Sequence, residues 1–157
     1  MTLRRNVVRM PRVLRTTLPD GYFHAYSRAV YGAALFADDA DRRLFLRLLM
    51  RTAKRCTWEL QALCLMTTHY HVVVRAAVPY LSAGMQWLNG VYAQRFNRRH
   101  ERFGHLFAGR YGTRAIEDEA YLLRACEYVL ENPVRAGLCD TAAEWPWNGS
   151  RNGFPDS

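Results

Sequence analysis

The hydrophobic pattern switches period along this chain, from two to 3.6 and back, and the order of those switches limits the fold more than any other feature. Residues 21–30 (GYFHAYSRAV) alternate aromatic with small side chains, as a half-buried strand does. Asp38 and Asp39 then offer N-cap oxygens to a helix over 39–56. Its apolar stripe is Leu44, Phe45, Leu48, Leu49, Ala53 and Cys56, with Arg43, Arg47 and Arg51 on the other face. Residues 57–66 and 69–76 read as the two strands of an antiparallel hairpin across Thr67-Thr68. Pro79 precedes a second helix over 80–99 that aligns Leu81, Met85, Leu88, Tyr92 and Phe96. Gly104, Gly109 and Gly112 punctuate 103–116 into a loop with one or two short strands. A third helix over 118–131 is stopped by Pro133, and Trp145-Pro146-Trp147 reads as a packed extension. The order β-α-β-β-α-β predicts an α+β fold, a ferredoxin-like split βαβ sandwich. Helices cover one face of its antiparallel sheet, and a C-terminal helix is added.

At 157 residues the chain is one domain's worth. The reading divides it into a basic arm (1–19), a main domain (20–140) and a C-terminal extension (141–157). Half of the residues are hydrophobic, which excludes global disorder, and no run nears the roughly 18 apolar residues of a membrane span. Cys56, Cys64, Cys126 and Cys139 form no CxxC pair; they read as thiols of a reducing compartment, the cytoplasm. The arm lacks the apolar core of a secretory signal, and Pro11 interrupts any amphipathic helix in it.

Charge gives the first functional indication. The net charge is +8, and Lys54 is the only lysine among 22 basic residues. Arginine's planar fork suits phosphate, and the arginines cluster: six lie within 91–115 against Glu101 alone. A polyanionic partner follows from that excess. Guanidinium groups interleaved with aromatic rings mark Arg98, Arg99 and Arg110 as nucleic-acid contacts, joined by Arg28 and Arg114, whereas Tyr92 and Phe96 read as core.

Two side-chain pairs carry chemistry. His69 and His71, at i and i+2 of one strand, point to the same face roughly 7 Å apart and can converge on one divalent ion. Tyr128 and Asn132 are four apart at the end of the third helix, with Pro133 freeing the Asn132 amide to turn. A tyrosine hydroxyl beside a divalent cation suits attack on a phosphodiester. Tyr121, one heptad earlier, lies on the same face, and spacing alone does not separate the two tyrosines.

The stretches CLMTTHYHVVV, LSAGMQWLNGVYAQRFNRRHERFGHLFAGRYGTRAI, AYLLRACEYVLENPVRAGL and EWPWNGS resemble, in order over about 20–150, the REP-associated branch of the single-tyrosine HUH transposases. That resemblance implies a histidine–hydrophobic–histidine motif with Tyr70 as its middle residue, and a catalytic Tyr128 within Tyr-x-x-x-Asn-Pro. It also implies Asn132 as a third ligand beside His69 and His71 for Mg²⁺ or Mn²⁺. The implied substrate is single-stranded DNA, often next to a hairpin, cut and rejoined through a 5′-phosphotyrosine by a monomer or a homodimer. The chain departs from the family's usual residues at Ala29, Thr68, Gly112 and Leu130. A hairpin-binding protein that does not cut is the alternative. An RRM-type RNA binder shares the topology but lacks the RNP1 pattern, of which Arg110-Tyr111-Gly112 is a fragment.

Overall fold

The computed structural model describes residues 20–156. The basic arm expected over 1–19 lies outside them. The chain runs β1 (Asp20–Arg28), α1 (Asp39–Cys56), β2 (Glu59–Leu65), β3 (His69–Ala77), α2 (Val78–Arg99), β4 (Gly112–Ile116), α3 (Glu119–Leu130), α4 (Asn132–Arg135) and β5 (Asn148–Ser150). The strands form one sheet in the order β4-β1-β3-β2-β5, every pairing antiparallel. Its first four strands have the ferredoxin-like order, so the expected fold class holds, and β5 extends the sheet beside β2.

Alternation along β3 decides what each face of the sheet does. Tyr70, Val72, Val74 and Ala76 point into the main core with Phe45, Leu46 and Leu49 of α1 and Leu81, Met85, Leu88 and Tyr92 of α2. Trp58 closes the far end of this core, donating from Nε1 to the Tyr80 carbonyl at 3.2 Å. Its indole lies across α2 because position 84 is glycine: a Cβ there would stand 2.3 Å from the ring. The opposite face carries a smaller apolar patch of Ala62, Cys64, Val73, Ile116, Ala125 and Val129, onto which α3 packs. Among the described residues no helix is long and apolar enough to cross a membrane.

Three boundaries differ from the sequence reading. Helix α2 begins at Val78, because a proline in the first turn lacks only an N–H that has no intrahelical acceptor. Pro133 likewise does not end helical structure. The chain breaks at Glu131 and turns once more as α4, closed by the Ala136 N–H on the Asn132 carbonyl at 3.0 Å. Residues 141–156 return to the sheet: Leu65 N–H donates to the Trp147 carbonyl (2.8 Å), Trp145 Nε1 donates to Leu65 O (3.0 Å), and Asn148 opens β5 against Cys64.

Candidate active site

The two histidines stand on the face of β3 turned toward α3. The rings of His69 and His71 lie 5.2 Å apart, centroid to centroid, and perpendicular. Register brings β1 alongside with Arg28 opposite His69, Tyr26 opposite His71 and His24 opposite Val73. His24 is thus a third imidazole in the cluster, its Nε2 2.8 Å from Nδ1 of His71. One proton bridges those nitrogens. For His71 to present an Nε2 lone pair, that proton sits on its Nδ1 and is donated to His24. Thr68 Oγ1 lies 3.1 Å from His69 Nδ1.

Burial keeps these rings neutral. It pushes His71 down to about 3, helped by the positive charge that His24, His69, Arg135 and Arg28 would add nearby. Burial and then Arg114 lower His24 to about 4. His69 is lowered by burial too, partly offset by its side-chain hydrogen bond with Asn132 and reinforced by Arg28. Neutral imidazole is the metal-ligating form.

Helix α3 brings the tyrosine. Asp118 caps its start by accepting from the Tyr121 N–H at 2.6 Å. Asn148 of β5 holds its end, donating from Nδ2 to the carbonyls of Leu130 and Ala142, both at 3.0 Å. So held, Tyr128 is 49% exposed and presents its ring at 6.0 Å from His24 and 6.1 Å from His71. The Arg135 guanidinium lies 4.0 Å over the phenol and bonds the Tyr128 carbonyl, fixing the ring from α4. Tyr121 instead packs into the apolar patch under Arg124. Tyr70 points to the other face, fully buried, donating to Asn89 Oδ1 at 2.6 Å, while Asn89 Nδ2 donates to Ser27 Oγ at 2.9 Å. The middle residue of the histidine motif is therefore a satisfied core hydroxyl. Gly112 also has a local reason: a Cβ there would lie 2.3 Å from Cζ of Tyr26, whose ring covers the glycine and flanks His71 at 5.8 Å.

The five arginines singled out in the sequence divide between regions. Arg28 and Arg114 share the histidine face, opposite His69 and His24 respectively, and both are exposed. Arg110 is exposed beside a pocket of about 490 Å³ bounded by Met85, Gln86, Asn89 and Tyr111, between α2 and the start of β4. Arg98 is exposed in the last turn of α2. Arg99 is committed to carboxylates, with 2.7 Å to Asp38 and 2.6 Å to the buried Asp41, which also meets His100 at 2.9 Å. The structure thus gives Arg99 an intramolecular role, joining the start of α1 to the end of α2. His24, Tyr26 and Arg135 are the site neighbours that sequence reasoning missed. For the first two a signal existed, since 22, 24, 26 and 28 are in phase along β1.

A sheet of ferredoxin-like order with a tyrosine-bearing helix laid over a histidine pair is the arrangement these residues build. Residues 17–132 match the family model described as transposase IS200 like, and the chain belongs to that family. In fold it is similar to a REP-associated tyrosine transposase solved bound to a REP hairpin, with TM-score 0.65, 12% identity, and coverage of 87% of this chain and 81% of that one. A Deinococcus radiodurans R1 chain assigned as a transposase aligns at TM-score 0.49 and 20% identity over 78% of this chain and 97% of that one. No curated protein matches in sequence.

Proposed function

We propose that this chain is a metal-dependent enzyme that nicks and rejoins single-stranded DNA beside hairpins, with Tyr128 as the nucleophile. The observation that carries this reading is the placement of a half-exposed phenol edge-on to a partly buried imidazole cluster, on a helix tied down at both ends. Family membership supplies the reaction class, DNA transposition. The solved relative, bound to a REP hairpin, supports folded DNA as the partner. The cytoplasm, beside the nucleoid, is where such a reaction belongs.

The donor set suits an open divalent site. The family resemblance points to His69, His71 and the Asn132 amide as the side chains that would hold the ion, and Asn132 already hydrogen-bonds His69. Two neutral imidazoles and an amide leave several positions for water and phosphate oxygens, as Mg²⁺ or Mn²⁺ requires. When bound, the ion would polarise the scissile phosphate and offset charge on its oxygens. His24 keeps the His71 proton on Nδ1 and so turns Nε2 outward. Arg28 and Arg114, on the same face, attract the DNA backbone. Tyr128 Oη attacks phosphorus in line and loses its proton to solvent. The P–O3′ bond breaks, and a 3′-hydroxyl leaves as a 5′-phosphotyrosine forms. Attack by another strand's 3′-hydroxyl forms the new phosphodiester, breaks the P–Oη bond and returns the proton to the phenol. The phosphotyrosine conserves the bond, so no nucleotide triphosphate is consumed.

The test is a denaturing gel of the full chain with labelled single strands carrying palindromic repeats, with Mn²⁺ or Mg²⁺. A covalent adduct lost in both Tyr128→Phe and His69→Ala is expected. Tight binding without any adduct would replace this reading with that of a hairpin-binding protein that does not cut.

A further inference from the structure

The outer face of α1 carries a cationic row that the site does not use. Arg43, Arg47, Arg51, Lys54 and Arg55 are all exposed, at helical spacings of three or four residues. At about 1.5 Å of rise per residue the row is straight and about 18 Å long. None of its members pairs with a carboxylate among the described residues. The acids at the start of α1 are taken by other cations: Asp39 by Arg42 (3.4 Å), Asp38 by Arg99 (2.7 Å), and Asp41 by Arg99 (2.6 Å) and His100 (2.9 Å). Two members are propped on indoles, Arg43 at 5.8 Å over Trp147 and Arg51 at 5.6 Å over Trp87. Stacking fixes the guanidinium plane while leaving its N–H edge outward, the geometry that phosphate recognition uses.

We infer that this face docks the phosphate backbone of a DNA duplex, the stem of a hairpin whose single-stranded continuation enters the site. The inference rests on the DNA reading above and adds where the folded part of the substrate lies. A duplex fits better than a single strand. Single strands are held by aromatic platforms on which bases stack, and here the indoles are already covered by arginine, with Trp147 only 9% exposed. A row of unpaired charge along one helix face suits contact with the backbone. The sheet separates α1 from the histidines, but the segment that leads into α1 is bonded to the turn that leads into them. The N–H groups of Leu35 and Phe36, just before α1, both bond the Thr67 carbonyl, in the turn that leads into His69.

Binding is measured as a function of salt for two probes, a synthetic hairpin with a single-stranded tail and the tail alone, all in a Tyr128→Phe background so that no chemistry is needed. Neutralising three phosphate contacts in an Arg43→Gln, Arg47→Gln, Arg51→Gln variant should flatten the slope of log K against log salt for the hairpin by about 2.7. The tail alone should be unaffected, and with Tyr128 restored the triple variant should form adduct on the tail as the wild type does. Arg47→Glu alone should weaken hairpin binding more than Arg47→Gln, a contrast that holds even if the triple variant folds poorly. An unchanged hairpin slope, or equal losses for both probes, overturns the inference. A flattened slope together with no adduct from the wild type would sink the nicking reading and leave the docking surface standing. Failure of the wild type to bind the hairpin would remove both.

Discussion

The two faces of β3 differ in what they contribute, although their residues alternate along one strand. Tyr70, Val72 and Val74 enter a core built with two long helices, where the side chains are covered and the hydroxyls of Tyr70 and Tyr92 are hydrogen-bonded. His69, His71 and Val73 enter a thin layer under a twelve-residue helix, where three imidazoles, the rings of Tyr26 and Tyr128 and exposed arginines adjoin a small apolar patch. The lesson is a division of labour by parity. One register sets stability and the other sets chemistry, so substitutions two residues apart should have similar kinds of effect and neighbours different ones.

That contrast can be broken first on the chemical side. Tyr128→Phe should cut adduct formation on the order of 10³-fold or more while leaving the urea midpoint nearly unchanged, because a half-exposed hydroxyl contributes little to folding. The mirror experiment is Phe45→Ala in the main core. It should cost about 3–5 kcal/mol in urea unfolding, since the ring is fully buried against Phe36, Tyr70 and Tyr92. If Tyr128→Phe destabilised the fold as much as Phe45→Ala, the division between faces would fail. A finer probe is His24→Ala, which frees His71 Nδ1. It should weaken Mn²⁺ affinity about 10–100-fold, read by titration calorimetry, with a smaller change in melting temperature.

The smallest effect lies away from both faces, where Arg99 joins α1 to α2. Its hydrogen bonds hold Asp38 down at about 2, below the usual carboxylate range. A depressed carboxylate stabilises the fold above its unfolded pKa, near 4, and that contribution is lost as pH falls through about 2. Arg99→Ala should therefore lower the melting temperature modestly at neutral pH, and the deficit should shrink between about pH 4 and 2. A deficit independent of pH would show that Arg99 acts through packing.

The elements were legible because each rests on local periodicity. The 3.6-residue stripe of α1 and the alternation of β1 and β3 appear in the structure within two residues of where the pattern puts them. The histidine pair and the tyrosine with its asparagine were legible as short spacings. The choice between Tyr121 and Tyr128 was not made by spacing; in the structure Asp118 and Asn148 fix the helix that turns one onto the sheet and the other toward the imidazoles. β5 could not be read, because Asn148-Gly149-Ser150 has no alternation and exists as a strand only by pairing with β2. His24 escaped because its bond to His71 spans 47 residues and depends on register. Arg99 looked like its neighbour Arg98 because its partner Asp38 lies 61 residues away.

The central claim concerns one atom, Tyr128 Oη, among several tyrosines of which Tyr26 also flanks His71. Tryptic digestion of the covalent DNA adduct, followed by mass spectrometry, identifies the modified residue directly. The account predicts a nucleotide remnant on the peptide that contains Tyr128 and on no other. A remnant on Tyr26 or Tyr121, or an adduct that survives in Tyr128→Phe, would contradict it.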